Sequence, residues 1–99
     1  MNLDKKVYKK LAEVPEGMVT SYSELAKAVG LKNGQRVIGQ IMKNNPYPVI
    51  IPCHRVVNAD GKIGGFFYGD KVKKNMLKKE GIEIQDGKIL NWDKKFYKF

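Results

Sequence analysis

The only cysteine and the only histidine of the chain are neighbours, Cys53 and His54, and Arg55 follows them. A thiolate is a strong nucleophile, an imidazole can take up its proton, and a guanidinium adds fixed positive charge. The chemistry such a trio offers is attack by sulfur on an electrophilic carbon. By itself a lone cysteine beside an apolar run such as Val49-Ile50-Ile51 more often serves as a small buried hydrophobe. A free thiol of pKa about 8.5 is only a few per cent thiolate at neutral pH. Bringing that pKa below 7 raises the thiolate population more than about tenfold, worth more than about 1.4 kcal/mol of activation. Part of the gain is lost because a weaker base is a weaker nucleophile.

Geometry sets a condition. Adjacent side chains of an extended segment point to opposite sides. Cys53 and His54 cooperate only if the chain turns sharply there or a water bridges them. A carboxylate from elsewhere in the chain then has to orient the imidazole. Cysteine–histidine hydrolases are the competing use of these residues, but their histidine usually lies far from the cysteine in sequence.

The surrounding pattern says which elements hold this trio. Leu3, Val7, Leu11 and Val14 recur at helical spacing, which predicts an amphipathic helix ended by Pro15. Met18 to Thr20 reads as an extended link. Ser21 and Glu24 form a capping-box pattern for a helix carrying Leu25, Ala26 and Val29, with Gly30 as its stop. Asn33 is placed to cap a second helix, from about Gly34 to Lys43, with Val37, Ile38, Ile41 and Met42 inward. Two short helices joined by a tight glycine-containing link form a helix-turn-helix pattern. Val49-Ile50-Ile51, held between Pro48 and Pro52, is extended and too short for a sheet of its own. Asp70 is placed to cap a helix reaching Glu80, with Val72, Met76 and Leu77 inward and Gly81 as its stop. Asp86-Gly87 between isoleucines predicts a small hairpin. The expected fold is a mainly α, small single domain, winged-helix-like, with short extended segments and a C-terminal hairpin.

Ninety-nine residues suffice for one such domain. The net charge of +9 favours an anionic partner, nucleic acid or an anionic membrane; a lysine-rich surface that only solubilises is the plain alternative. Of the 19 basic residues only Arg36 and Arg55 are arginine. Where a chain otherwise uses lysine, an arginine suggests a need for a planar fork or a stacking face. One cysteine excludes an internal disulfide, and one cysteine with one histidine is too small a donor set for a protein-held zinc site. No apolar run approaches a membrane span, and the N-terminus lacks an apolar leader, so a soluble cytoplasmic protein is expected, with no membrane partner.

Ile51-Pro52-Cys53-His54-Arg55-Val56 resembles the active-site signature of the O6-alkylguanine-DNA alkyltransferases, also called methylated-DNA–protein-cysteine methyltransferases. The flanking features follow in the family's order without gaps. These are the helix-turn-helix from Tyr22 to Gly30, Arg36 on its second helix, Asn45-Pro46, the glycine-rich loop Gly61 to Gly69, Lys73, and Glu80-Gly81. The resemblance covers about residues 5–82.

It implies a single-turnover transfer to the protein itself, with no cofactor and no metal. Cys53 is then the nucleophile for the alkyl carbon on guanine O6, with His54 its base through a water and Glu80 holding the imidazole. Tyr22 gives a proton to the departing guanine. Arg36 fills the place of a nucleotide flipped out of the duplex. The second helix enters the minor groove, where Gly39 permits close approach; a helix-packing role for Gly39 is the alternative. Gln35 and Ser23 complete the implied DNA contacts, and Asn45 and Arg55 brace the active-site loop. Val56, Gly64, Phe66 and Phe67 belong to the implied guanine pocket.

The implied partner is double-stranded DNA containing O6-alkylguanine, met by a monomer at a prokaryotic-type nucleoid. Three departures stand out. The family's separate N-terminal domain is absent, Phe66 stands where tyrosine is usual, and Phe67 and Tyr68 add bulk. The tail, residues 83–99, is outside the firm match. Alkyltransferase-like proteins are the second reading: they bind and flip alkylguanine but carry a non-nucleophile where Cys53 stands. A plain helix-turn-helix DNA-binding module, the third, leaves the Pro-Cys-His-Arg run unused.

Overall fold

Five helices and two pairs of very short strands make up the domain, seen in a computed structural model that describes residues 2–46, 51–66 and 69–99. The run Val49-Ile50 and the pocket residues Phe67 and Tyr68 lie outside the described residues. Helix α1 (Leu3–Leu11) opens with Asn2 accepting the Asp4 N–H and buries Val7 and Leu11. It ends at Leu11, a turn before Pro15. Proline disfavours helical backbone in the residue before it, and the last turn unwinds through Glu13 and Val14 bonds to Lys10 and Leu11 carbonyls. Val14 still reaches the core.

Strand β1 (Thr20–Ser21) leads directly into helix α2 (Tyr22–Ala28). Ser21 caps α2, its hydroxyl accepting the Glu24 N–H at 3.0 Å. Gly30 has φ +83°, and the Gly30 and Leu31 amides donate to the Lys27 and Ala26 carbonyls, a Schellman closure. Helix α3 (Gln35–Lys43) follows at once. The cap differs from expectation: Asn33 takes a left-handed conformation, φ 49°, and Gly34 occupies the cap without a side-chain bond. A Cβ on Gly34 would come within 2.8 Å of Leu31 and 3.2 Å of Ala26, so this glycine lets the link pack against α2. Ile38, Ile41 and Met42 are buried as expected, but Val37 is 44% exposed and belongs to the outer face.

Strand β2 (Val56–Val57) pairs parallel with β1, Thr20 opposite Val56 and Ser21 opposite Val57. Val56 joins the core built on α1, α2 and α3, while Val57 joins a second core of Val19, Ile63, Leu77, Ile82 and Ile89. The pair thus divides the apolar interior, one residue to each side. Helix α4 (Asp70–Lys79) starts one residue earlier than expected, with Gly69 at the cap and Asp70 in the first turn. Its buried face is Lys73 and Leu77, not Val72, which is 44% exposed, or Met76. The hairpin of β3 (Ile84–Gln85) and β4 (Lys88–Ile89) turns on Asp86 and Gly87, both at positive φ. A last turn of helix, α5 (Trp92–Lys95), precedes the aromatic tail. No helix among the described residues is long and apolar enough to cross a membrane.

Candidate active site

The sharp turn that the Cys53–His54 pair requires is present. Pro52 sits at φ −79°, ψ 66°, and the Cys53 N–H donates to the Ile51 carbonyl at 2.7 Å, an inverse γ-turn. A single 3-10 turn, Cys53–Arg55, follows, closed by Arg55 N–H on the Pro52 carbonyl at 2.9 Å. Proline has the φ this turn needs. Asn45, at the end of α3, donates its side-chain N–H to the same Ile51 carbonyl at 2.9 Å. One carbonyl therefore ties the thiol-bearing turn to the helix-turn-helix.

Within this turn the three side chains separate. Cys53, 5% exposed, lines a cavity of about 280 Å³ bounded by Tyr22, Gly39, Met42, Lys43, Gly65 and Phe66. His54, 1% exposed, points inward, and its Nε2 lies 2.8 Å from Glu80 Oε2. Arg55 grips the same carboxylate with two N–H groups, Nε to Oε1 at 2.9 Å and Nη2 to Oε2 at 2.8 Å, while Nη1 donates to the Val14 carbonyl. Glu80, at the C-terminal cap of α4, thus collects three bonds.

Protonation states follow from the surroundings. Burial pushes the His54 pKa down and outweighs the opposing pull of Glu80. Burial alone would raise Glu80, but bonds from Arg55 and His54 overcome it and hold the carboxyl below its usual range. The pair is therefore a neutral imidazole donating its Nε2–H to a carboxylate. That tautomer leaves Nδ1, buried and without a protein partner, as the acceptor. Both groups resist protonation when folded, so the unfolded chain binds these protons more readily. Stability falls as pH drops below 6.5, the ordinary histidine value, and falls further below 4.5, that of the carboxyl. Urea midpoints measured from about pH 8 to about pH 4 will show both losses, and His54→Gln will remove the first.

One further group faces the cavity, and another is buried behind its wall. Tyr22, the first residue of α2, has its pKa raised by burial and by Cys53, so its hydroxyl stays protonated and is a donor. Lys73 is fully buried; its ammonium donates to the Val56 carbonyl at 2.7 Å and the Gly65 carbonyl at 3.2 Å and stands 5.9 Å from the Tyr22 ring centroid. Burial lowers its pKa to about 8, opposed by Cys53 and Asp70. At neutral pH it remains largely charged, electrostatically coupled to the sulfur.

Of the pocket residues expected from sequence, Phe66 bounds the cavity and Phe67 is outside the described residues. Val56 and Gly64 stand behind the cavity: Val56 is a core side chain whose carbonyl serves Lys73, and Gly64 packs against Asn58. Met42 and Lys43 are not legible as site residues: Met42 reads as core, and Lys43 as one surface lysine among many. Lys73 is marked by its place in the family's order, without a role, and by its position four residues before Leu77, on the helix face where an apolar side chain is due.

Next to the cavity runs the outer face of α3. Arg36 and Gln35 are exposed, and among the described residues Arg36 makes no ion pair. A Cβ on Gly39 would meet nothing within 4 Å, so this glycine is not a helix-packing position; it opens the helix surface at the cavity mouth. Ser23 shares a shallow groove with Gln35 at the helix-turn-helix link, its hydroxyl 3.1 Å from that of Ser21.

Fold and site together define a helix-turn-helix domain built around a buried cysteine–histidine–glutamate set. Residues 2–82 match the family model of the 6-O-methylguanine DNA methyltransferase DNA-binding domain. The chain belongs to that family. It is 47% identical over 81 residues to a methylated-DNA–protein-cysteine methyltransferase of Thermococcus kodakarensis, covering 81% of this chain and 45% of that protein. It is 40% identical over 93 residues to a bifunctional methyltransferase/endonuclease of Picrophilus torridus, covering 94% of this chain and 30% of that protein. Thus the chain spans about half the length, or less, of these curated relatives. Among solved structures, Schizosaccharomyces pombe Atl1 in complex with damaged DNA containing O6-carboxymethylguanine superposes over the whole of both chains, with a TM-score of 0.85 at 34% identity.

Proposed function

We propose that this chain repairs DNA by taking the alkyl group from the O6 of a damaged guanine onto its own Cys53, once per molecule. The observation that carries the reading is the placement of the Cys53 sulfur in a cavity beside α3, with the His54–Glu80–Arg55 relay behind it. Helix α3 lies in the minor groove of double-stranded DNA, Arg36 takes the place of the flipped nucleotide, and the guanine enters between Tyr22 and Phe66. Extruding a base costs a few kcal/mol, and an inserted side chain offsets part of it.

The thiol proton passes through a water to His54 Nδ1, and Glu80 steadies the imidazolium. The S–C bond forms as the C–O6 bond breaks, and the Tyr22 hydroxyl protonates the leaving guanine. Lys73 keeps positive charge on the sulfur's side of the pocket and fixes the Val56 and Gly65 carbonyls. A thioether is a stable product that side chains do not cleave, so the protein is consumed in the reaction. A single domain of this design acts as a monomer on duplex DNA, and hence at the nucleoid of a prokaryotic-type cell, with no membrane partner.

Intact-mass measurement after incubation with an O6-methylguanine duplex tests the reading. A gain of one methylene, mapped to Cys53, supports it. Tight binding with unchanged mass would instead establish the second reading, a protein that flips and flags the lesion; the end-to-end likeness to a protein solved on damaged DNA keeps that reading in play.

Arg36→Ala separates flipping from chemistry. Reaction with free O6-alkylguanine stays within about twofold of wild type, while reaction with duplex falls by roughly 100-fold, because only the duplex has to be opened. Rates on the two substrates, measured side by side, check this; equal losses would remove Arg36 from the flipping step.

A further inference from the structure

Residues 83–99 lie beyond the span matched by the family model, yet they bond to the segments that carry both walls of the cavity. One wall is Tyr22, carried by β1 and the first turn of α2. There the tail runs beside the residue that leads into β1, with a single parallel bridge between Val19 and Phe96. The Val19 N–H donates to the Lys95 carbonyl at 2.8 Å, and the Tyr97 N–H donates to the Val19 carbonyl at 2.7 Å. The Thr20 hydroxyl donates to the Tyr97 carbonyl at 3.1 Å, and the Phe99 N–H donates to Glu24 Oε2 at 3.3 Å. This last bond takes the carboxylate that a complete capping box would turn back onto Ser21.

The other wall is Gly65 and Phe66, and the hairpin holds the segment that leads to it. The Ile63 N–H donates to the Gly87 carbonyl at 3.0 Å, and the Ile89 N–H to the Gly61 carbonyl at 2.9 Å, with Lys62 bridged to Lys88. Between these two anchor points Trp92 covers Gly61, where a Cβ would lie 3.6 Å from the indole, and Phe96 stacks on Trp92 at 4.7 Å.

The second wall needs such an anchor. Its loop contains Gly64 at φ 70° and Gly69 at φ 102°, with Gly65 between them. Glycines lose more conformational freedom on ordering than any other residue. Within the matched span, Lys73 holds the Gly65 carbonyl and Gly69 closes on Phe66. The direction in which residues 61–63 enter the loop is set by the hairpin.

We propose that residues 83–99 form a strap whose function is to fix the distance between the Tyr22 wall and the Phe66 wall, with Trp92 as its central positioning residue. The proposal rests on the alkyl-transfer reading above. The strap acts on transfer and not on DNA binding, because α3 is held by α1 and α2 and makes none of these bonds.

The test uses the full chain with Trp92→Ala, and Thr20→Val as the milder variant that deletes a single tail bond. Rates are taken at a temperature where circular dichroism shows each variant fully folded. Displacing reacting groups by about 1 Å costs up to about 100-fold, so Trp92→Ala is expected to slow transfer from both free O6-alkylguanine and duplex by roughly 10- to 100-fold. Duplex affinity stays within about twofold, and Trp92→Phe restores most of the rate. A purely structural role gives a different result: rate and affinity fall together and recover together on cooling. Transfer unchanged in the folded Trp92→Ala variant overturns the proposal, as does a parallel loss of DNA affinity. If the wild type transfers nothing, the alkyl-transfer reading fails, and amide exchange judges the strap alone. Exchange at Ile63 and Tyr97 at least about tenfold faster in Trp92→Ala supports it, and unchanged exchange overturns it.

Discussion

Replacing Cys53 with serine will abolish the mass gain and lower the transfer rate by more than about 1,000-fold, while the duplex is bound as tightly as by wild type. A hydroxyl keeps nearly the shape of the thiol, so the core contact and the inverse γ-turn survive. What is lost is the sulfur nucleophile, since a hydroxyl is both less acidic and less nucleophilic than a thiol. His54 meets a far less acidic proton on an alcohol, so deprotonation costs more, and the oxygen is a poorer nucleophile than sulfur toward an alkyl carbon. Duplex binding is untouched because Arg36, Gln35 and Gly39 stand on α3, outside the turn that carries the sulfur. Intact mass and fluorescence anisotropy on the same methylated duplex check both halves. A serine variant that still gained a methylene would show that another residue accepts the group.

Glu80→Ala is expected to have the next largest effect, in rate and stability together. The carboxylate accepts bonds from His54 and from two nitrogens of Arg55, and its side chain is 11% exposed. Removing one partner of such a buried pair leaves the other charged group uncompensated, at a cost of about 3–5 kcal/mol. For a domain of this size that lowers the melting temperature by more than about 10 °C. The rate falls by roughly 100-fold or more, because the imidazole loses the group that sets its tautomer and steadies its positive form.

Glu80→Gln distinguishes the two roles. The amide keeps the shape, so it recovers much of the stability, but it lacks the charge, so the rate stays low. Calorimetry with single-turnover kinetics on the three proteins checks this. A Gln variant with full rate would mean that Glu80 only props the turn.

Much of the site could be read directly from the chain. The Pro-Cys-His-Arg run and Arg36, one of only two arginines among lysines, are marked by residue type, Asn45 and Glu80 by the family resemblance, and the helix-turn-helix by its apolar spacing and the Ser21 cap. Residue type also misled in places. Val37 and Val72 suit a helix interior, yet both face outward, because a nine- or ten-residue amphipathic pattern fixes a helix face only to within one position. Asn33 and Asp70 suit a cap, yet glycines hold those places: Gly34 has to pack against Leu31 and Ala26, where a side chain would collide, and Gly69 takes a φ of 102°.

By itself, then, the sequence determined the local features: which residue types could carry chemistry, where helices lie to within a few residues, and that the chain turns on Asp86-Gly87. These depend on neighbours within a few positions and on side-chain chemistry. Only the tertiary structure decided the rest: that Thr20 lies opposite Val56, that Glu80 meets His54 and Arg55 across 26 and 25 positions, and that Lys73 is buried beneath the pocket loop. Only it showed that the tail binds Val19 and Thr20 across more than 70 positions. The physical reason is that such pairings owe nothing to local preference. They form because the two apolar cores close around β1 and β2, and closing them brings distant polar groups within reach of one another.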